Sequence, residues 1–415
     1  MAVRPAVIAI EFPRHRNAPV RPWPGTGAGG AALAALIWCA AISLQPCDAL
    51  GAAGYRTRMR LQMGSLTEIT VPDAQYRPDV VSRAFDVIER LDGLLSTYKP
   101  ESEVMRLGRE GALSVSPEFI DLALRSLEWS RRTGGAFDPV LGPVITLWRR
   151  AAQDQKPPTP EELESARRKT DPALIRIDPA AGRIAFAEPG MGFDFGAIGK
   201  GYAVDQAVES LRRDGVTVAL VASGGSSHRL IGLPKQLGCW ELGIRHPEDS
   251  DRSVALLRMG EGGLATSAQS GQAIEIAGKR LGHIIDPRTG QPAEPADPVW
   301  SASVLGPEAT AADALSTAVI VMGAARGLAL IESLPGYEAL LVLKGQGAAP
   351  EFRTTQGLRQ EGTLDGLPLF VQASMTACFA REARRERLSA LAWSFIRPEA
   401  GQRPAEGPLL VGERR

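Results

Sequence analysis

Cysteine is scarce in this chain of 415 residues, which contains only Cys39, Cys47, Cys239 and Cys378. None of them forms a C-x-x-C pair or a spacing typical of a zinc site, and no disulfide framework is indicated. If the first two lie in a segment that is removed or membrane-bound, two cysteines remain in the body of the protein. That number is compatible with either redox compartment.

An excess of charge is missing as well. Lys and Arg total 47, Asp and Glu also total 47, and the formal net charge at pH 7 is therefore zero. A basic surface that would attract nucleic acid is not indicated, and we expect no nucleic-acid partner. With 44% hydrophobic and 23% charged residues, the chain has the composition of an ordinary globular protein with a large core.

The apolar run over residues 31–44 is too short to span a bilayer comfortably. It follows four arginines and precedes several small residues, which is the layout of a signal peptide with a long basic region. We therefore predict a signal peptide or N-terminal anchor over residues 1–49, with cleavage after Ala49. The protein would then be periplasmic or exported, and attached to the membrane if the anchor is retained. A lipid on Cys47 and a disordered extension are the alternatives.

Patterns of strands and helices both occur between residues 55 and 357. Alternation predicts one or two strands over residues 55–72, with a bulge at Met63-Gly64, and further strands recur as far as residue 344. Apolar residues at helical spacing predict helices over residues 77–97, 116–133 and 311–323. The predicted fold class is α+β, with largely antiparallel sheets flanked by helices.

Neither a Walker A motif nor G-x-G-x-x-G occurs, so no standard nucleotide motif is indicated. The stretch FDFGAIGKGYAVD over residues 193–205 nevertheless has the pattern of a strand, a tight turn and a helix N-terminus. Gly196 and Gly199 allow the turn, and Lys200 opens the helix. Because helix N-termini present unpaired N–H groups, a phosphate-bearing ligand is one interpretation. An ordinary β-to-α turn with a surface lysine is the other.

Asp313 and Thr317 lie four residues apart on a predicted helix, so their side chains share one face. A carboxylate and a hydroxyl in that arrangement suit Mg²⁺, which prefers oxygen ligands and completes its shell with water and phosphate. A solvated helix face or a local hydrogen bond is the alternative interpretation of the same pair.

The segment from His283 to Gly290 supports a catalytic interpretation. A histidine can act as a general base near neutral pH, and Asp286-Pro287-Arg288-Thr289-Gly290 is a tight turn that can hold it in place. Arg288 can pair with a phosphate or a carboxylate. The alternatives are a strand histidine satisfied by a backbone carbonyl and a turn with no further role.

Two aromatic residues have the character of contacts for a planar ligand. They are Tyr98, which follows the first predicted helix, and Phe137, which stands beside Asp138. Such residues are more often core or rim residues than stacking platforms, and this is the alternative interpretation of each. His228 and His246 have no partner pattern and are interpreted as surface or structural residues.

Several separated stretches together resemble one family, the ApbE-type FAD:protein FMN transferases. They occur in the family's order and cover residues 59–357. The matching stretches are Ser96-Thr97-Tyr98 with Ser102-Glu103, Gly135-Ala136-Phe137-Asp138-Pro139 with Gly142-Pro143, residues 194–205, Gly224-Gly225, Ala265-Thr266-Ser267, residues 283–290 and residues 312–318. We therefore predict an ApbE-like flavin transferase domain over residues 55–357 and a C-terminal extension of unknown role over residues 358–415.

The resemblance implies a Mg²⁺-dependent enzyme that transfers FMN from FAD to a Thr or Ser hydroxyl of an acceptor flavoprotein through a phosphoester, releasing AMP. By the same resemblance, the Ala197 carbonyl, Asp313 and Thr317 would hold Mg²⁺, and His283 would lie at the reacting end. The implied FAD contacts are Met63, Tyr98, Ala136, Phe137, Asp138, Asp194, Lys200 and Ile285.

The chain departs from the family pattern at two places. Residues 266–272 read TSAQSGQ, so an aspartate that is frequent after the TSG of family members is missing, and Gln269 stands there instead. Residues 222–226 lack the acidic residue that is frequent after the glycine pair. These departures bear on catalytic rate and acceptor choice. Two alternatives therefore stand beside the transferase, namely a FAD pyrophosphatase that produces FMN and AMP, and a non-catalytic FAD-binding protein.

Overall fold

The computed structural model describes residues 54–372, apart from residues 236–237, 270–272, 346–348 and 365. The predicted signal peptide or anchor over residues 1–49 lies outside the described residues, as does most of the predicted C-terminal extension. Both stay predictions. Within the described part, no helix combines the length and the apolar character needed to cross a membrane.

The described strands are numbered in chain order. They are β1 (Tyr55–Gln62), β2 (Ser65–Pro72), β3 (Ala112–Ser114), β4 (Ile175–Asp178), β5 (Arg183–Phe186), β6 (Ala219–Ser223), β7 (Ser227–Ile231), β8 (Trp240–His246), β9 (Asp249–Met259), β10 (Gly262–Ala268), β11 (Ile274–Ile276), β12 (Lys279–Leu281), β13 (Ser301–Gly306), β14 (Glu338–Leu343), β15 (Glu351–Thr354), β16 (Leu358–Leu364) and β17 (Leu367–Gln372).

The largest sheet in the described part has the strand order β1-β2-β6-β7-β10-β13-β14-β15, and every pair in it is antiparallel. A second sheet has the order β16-β17-β9-β8, with one parallel pair between β17 and β9. Two small sheets, β3-β5-β4 and β11-β12, lie apart from them. The predicted α+β class with largely antiparallel sheets is confirmed.

The α-helices supply the second layer. They are α1 (Pro78–Leu95), α2 (Glu103–Glu110), α3 (Pro117–Arg132), α4 (Gly142–Asp154), α5 (Pro160–Arg167), α6 (Gly199–Arg213), α7 (Ala309–Met322) and α8 (Ala324–Glu332). In α1 the apolar residues recur every three or four positions and are buried, as the helical spacing predicts. Ser116 caps α3 by accepting a hydrogen bond from the Phe119 N–H.

Successive side chains along the strands of the large sheet point to opposite faces, and each face packs against its own apolar core. In β7, Ile231 faces the helices, while Leu230 belongs to the apolar cluster between the two sheets. Ser227 and Arg229 therefore point to the helix side, and His228 is buried on the side of the second sheet. Burial lowers the pKa of His228 to about 4, so this histidine is structural and neutral.

Two expectations about local structure need revision. Met63 and Gly64 form a two-residue hairpin turn instead of a bulge, because both have positive φ, 50° and 67°, and Gln62 pairs directly with Ser65. The folded body also continues past residue 357. The hairpin of β16 and β17 begins at Leu358 and pairs with β9, and its buried Phe370 belongs to the core between the sheets.

Candidate active site

The segment before α6 is organised by alternation of apolar and polar side chains. The rings of Phe193 and Phe195 are buried and pack edge-on against Phe119. Asp194 between them faces the other way, and its Oδ1 accepts a hydrogen bond of 2.8 Å from the Gly196 N–H. This segment was expected to be a strand. It is an extended loop outside the described strands, held by a bond of 2.8 Å from the Asp194 N–H to the Pro139 carbonyl.

Helices α6 and α7 each cap the other with a carboxylate. Asp205 of α6 accepts hydrogen bonds from the Ala309 N–H at 3.1 Å and the Thr310 N–H at 2.8 Å, at the start of α7. Asp313 of α7 accepts one of 2.9 Å from the Gly201 N–H, in the first turn of α6. Neither helix has a side-chain cap from its own N-cap residue. The orphan N–H groups of both helices are thus partly satisfied from the other helix.

This arrangement bears on the Ala197 carbonyl. In a continued helix the Gly201 N–H would donate to the carbonyl four residues earlier, which is that of Ala197. The Gly201 N–H donates instead to Asp313 Oδ2. The Ala197 carbonyl, which precedes the first residue of α6, therefore does not accept that bond. The Asp313 carboxylate is held at the first turn of α6 through Gly201.

Thr317, the third expected ligand, lies one turn after Asp313 on α7. Its Oγ1 is 3.1 Å from Ser267 Oγ, which is also 2.8 Å from Ser316 Oγ. Ser267 comes from the end of β10. The Thr317 hydroxyl is thus held at the junction between the sheet and α7, and it remains partly exposed.

Burial raises the pKa of the Asp313 carboxyl, while the Lys200 charge and the Gly201 hydrogen bond act against that rise. The nearby Ser227 hydroxyl also favours the ionised form. A buried carboxylate is stabilised most by a cation in contact with it. The oxygen donors gathered here therefore fit Mg²⁺. Among the described residues, no cluster of three or more His, Cys, Asp or Glu side chains suits a metal, so a metal at this site would also need ligand or water oxygens.

His283 follows β12 and is largely buried in the structure. Burial lowers the pKa of its imidazole, and the Lys200 charge lowers it further. Within the described residues its buried Nδ1 has no hydrogen-bond partner. The imidazole is therefore neutral near pH 7 and can accept a proton. The charge of Lys200 thus lowers the pKa of His283 and also opposes the rise in the pKa of Asp313.

Gln269, the residue at the first departure, packs against the loop that carries His283. Its Nε2 donates to the Ala293 carbonyl at 3.0 Å, and a Cβ on Gly282 would lie 2.1 Å from its Oε1. A carboxylate could not donate the bond to Ala293. The glutamine therefore braces the loop in a way that an aspartate cannot.

The turn after His283 is closed on itself. Arg288 donates to both carboxylate oxygens of Asp286, at 2.8 and 2.6 Å, so its expected anionic partner lies within the turn. Trp148 of α4 holds the turn from outside by donating to the Gly290 carbonyl at 2.7 Å.

Seven of the eight residues implied to contact FAD fall into two groups, and the eighth is the buried Asp194 described above. The side chain of Tyr98 is 81% exposed, and Asp138, Lys200 and Met63 are partly exposed. Met63 lies close to the start of α6, since a Cβ on Gly199 would be 3.9 Å from its Cε. Burial raises the pKa of Asp138 to about 6, and the charge of Asp171 adds to the rise.

The second group is buried. Phe137 is 2% exposed and belongs to the core between the large sheet and the helices, as does Ala136. Ile285 packs into a smaller apolar cluster with α4 and α5. The Phe137 ring faces the core in this structure, which agrees with the alternative interpretation of Phe137 as a core residue. At these three positions little of the residue surface is open to a ligand.

The sequence model of the ApbE family matches residues 63–341, which is more than half of the chain. The chain belongs to the ApbE family. The resemblance carried by the motifs is thereby confirmed.

The relatives of this ApbE-family chain include curated proteins and solved structures. The FAD:protein FMN transferase of Salmonella typhimurium is 30% identical over 309 residues, which are 70% of this chain and 87% of that protein. The FAD:protein FMN transferase of Treponema pallidum is 30% identical over 321 residues, 71% and 87% of the two. The flavin transferase ApbE from Vibrio cholerae superposes with a TM-score of 0.62 at 26% identity, covering 73% of this chain and 97% of that one. For the ApbE protein from Thermotoga maritima the TM-score is 0.65 at 27% identity, with coverage of 73% and 97%.

Sequence reasoning missed several polar residues of this ApbE-family site. Arg149 gave no signal, because it is one of two adjacent arginines on an amphipathic helix. Ser227 and Ser267 stood inside matching or neighbouring stretches without a role. Asp205 ends the 193–205 stretch, and its position one turn after Gly201 was the signal that could have marked it as part of the junction with α7.

Proposed function

We propose that this chain transfers FMN from FAD to a Thr or Ser hydroxyl of an acceptor flavoprotein, in a Mg²⁺-dependent reaction that forms a phosphoester and releases AMP. The observation that carries the proposal is the contact between α6 and α7, where the Gly201 N–H, next to Lys200, donates to the Asp313 carboxylate at 2.9 Å. The names of its relatives, FAD:protein FMN transferases at 30% identity over most of the chain, support the same activity.

The reaction requires attack of the acceptor hydroxyl oxygen on the phosphorus that carries the flavin side of FAD. The bond from that phosphorus to the AMP oxygen breaks, AMP leaves, and the hydroxyl proton passes to a base. The neutral imidazole of His283 suits that base, because its lowered pKa keeps it unprotonated near pH 7. Positioning and charge neutralisation supply most of the catalysis in phosphoryl transfer.

The remaining residues would bind and orient FAD. Lys200 and the N–H groups that open α6 present positive charge to the diphosphate. Asp313, Thr317 and the Ala197 carbonyl would hold Mg²⁺, which when bound supplies further charge neutralisation at the phosphates. Tyr98 offers an exposed ring to a planar group.

The test is incubation of the purified protein with FAD, MgCl₂ and candidate acceptor flavoproteins, read by the mass of the acceptor. We expect a covalent FMN adduct and stoichiometric AMP. Asp313→Asn should lower the rate by about 100-fold because it removes the anionic ligand that would hold Mg²⁺. Asp86→Asn is the matched control, since Asp86 is an exposed carboxylate on α1 paired with Arg60.

Each part of the proposal has its own contrary outcome. Free FMN and AMP without an adduct would identify a pyrophosphatase, and bound FAD with no AMP would identify a binding protein. Undiminished labelling in the presence of EDTA would contradict the Mg²⁺ requirement alone. Export from the cytoplasm and membrane attachment remain predictions from residues 1–49.

A further inference from the structure

Arg149 of α4 connects two loops at the edge of the candidate site. Its Nη1 donates to Thr97 Oγ1 at 3.1 Å, and its Nη2 is 3.3 Å from Asp194 Oδ2. Its guanidinium carbon also lies 5.0 Å from the centroid of the Tyr98 ring. One guanidinium thus contacts the loop after α1 and the loop before α6, which are nearly a hundred positions apart in the chain.

The Tyr98 ring lacks the support of a core. It is 81% exposed, and its backbone N–H bonds to Ser96 Oγ at 3.3 Å within the same loop. An exposed aromatic side chain ordinarily samples several rotamers, and ordering it costs entropy when a ligand stacks on it. A cation placed over one face of the ring restrains it before the ligand arrives.

The guanidinium itself is held firmly. The side chain of Asp194 is 7% exposed and is fixed by the Gly196 N–H, so it is an anchored partner for Arg149. Arg149 follows Trp148 on α4, and Trp148 is buried and donates a hydrogen bond to the Gly290 carbonyl. Asp194 and Thr97 therefore place the guanidinium, and the guanidinium places the Tyr98 ring.

We propose that Arg149 is a positioning residue for FAD. Its guanidinium covers one face of the Tyr98 ring and leaves the opposite face ordered for a planar ring of the ligand. The inference rests on the proposed function, since it takes FAD as the ligand. It assigns Arg149 no part in the transfer step. Arg149 would then affect the binding of FAD far more than the turnover of bound FAD.

The experiment measures the dissociation constant for FAD by flavin fluorescence, in the absence of acceptor, and then kcat and KM with acceptor. Arg149→Met should weaken FAD binding roughly tenfold, through loss of the cation on the ring and of its ordering. KM for FAD should rise by a similar factor, with kcat within about twofold of the unaltered protein. The affinity of Arg149→Lys for FAD should fall between that of the unaltered protein and that of Arg149→Met, because an ammonium cannot bond both loops and cover the ring at the same time.

The control is Arg150→Met, one residue along the same helix. Arg150 is exposed and pairs with Glu162 of α5, away from both loops. We expect unchanged FAD binding in this variant. A weakening equal to that of Arg149→Met would show a general effect on α4 and would overturn the inference.

A double-mutant cycle with Tyr98→Leu distinguishes positioning from direct contact. If Arg149 acts through the ring, Arg149→Met should weaken FAD binding little further once Tyr98 is replaced. A full tenfold loss in both backgrounds would show that Arg149 acts on FAD independently, and equal affinity of the unaltered protein and Arg149→Met would show no role. Either result overturns the inference alone. Failure of the unaltered protein to bind FAD would instead overturn the proposed function, and this inference with it.

Discussion

At the scale of single residues, burial shifts the pKa values of polar groups in the candidate site and so changes their protonation. Burial raises the pKa of Asp313 and lowers the pKa of His283, so it favours the neutral form of each. The Lys200 charge opposes the shift of Asp313 and adds to the shift of His283. This positive charge favours an ionised carboxylate and also a neutral imidazole. One lysine thus supports the protonation states that phosphate binding and proton acceptance require.

Asp138 provides a pH-dependent test at this scale. Its folded-state pKa is about 6, above the ordinary value of 3.8, so the folded protein keeps a proton that the unfolded chain loses between about pH 4 and pH 6. Stability therefore falls as pH rises through this window. Asp138→Asn removes the titration and keeps an acceptor for the Val140 N–H. We expect the variant to match the unaltered protein at pH 4 and to exceed its free energy of unfolding by about 2 to 3 kcal/mol at pH 7.5.

The measurement is urea unfolding of both proteins without FAD, at several pH values between 4 and 8. The prediction concerns how the difference between the two proteins changes with pH. A difference that stays constant across this range would contradict the assignment of the raised pKa to Asp138.

At the scale of elements, the site depends on the close approach of α6 and α7. A Cβ on Gly201 would lie 2.3 Å from the Ala309 carbonyl oxygen and 2.9 Å from the Asp313 Cβ. Glycine is required here because the two backbones touch, and not because of a positive φ. The same contact allows the Gly201 N–H to reach the Asp313 carboxylate.

Gly201→Ala should therefore separate the two helices. We expect a loss of about 1 to 3 kcal/mol in the free energy of unfolding from overpacking, and a fall in flavin transfer because Asp313 moves from the start of α6. Chemical denaturation and the acceptor-labelling assay measure the two effects. Gly93→Ala in α1 is the control, since nothing lies within 4 Å of the added Cβ.

The control substitution should stabilise the protein by about 0.5 to 1 kcal/mol, because alanine has a higher helix propensity than glycine. If both substitutions had the same effect on stability, the close approach of the two helices at Gly201 would not be the determining feature.

At the scale of the whole described body, the large sheet lies between two apolar cores. One core contains the helices that form the site, and the other is closed by β8, β9 and the hairpin of β16 and β17. The hairpin contributes Phe370, which is 2% exposed and lies 5.4 Å from the ring of Phe352. Residues after 357 thus contribute to the fold although they lie beyond the stretches that resemble the family.

Phe370→Ala tests this contribution. Removing a fully buried phenylalanine should lower the free energy of unfolding by about 3 to 5 kcal/mol, through lost burial and the cavity left behind. Leu61→Ala on β1 is the control, because Leu61 is 79% exposed and should change stability by less than about 0.5 kcal/mol. A similarly small effect of Phe370→Ala would contradict the packing of the hairpin on the body.

The sequence alone determined the features that depend on neighbouring residues. Helical spacing located α1, α3 and α7, and the Ser116 cap that opens α3 also involves only residues within one turn. The pairing of Asp313 with Thr317 followed from helix geometry, and the ordered motifs identified the ApbE family. Such patterns are local, so they can be recognised from the sequence alone.

The tertiary structure decided which residues meet across long separations. The Gly201 N–H and Asp313 are 112 positions apart, and Arg149 and Asp194 are 45 positions apart. Periodicity carries no information about such contacts, since they arise only when the sheet and helices close around a shared core. For the same reason, only the fold could show that the Phe137 ring faces the core while the Tyr98 ring remains exposed beside a cation.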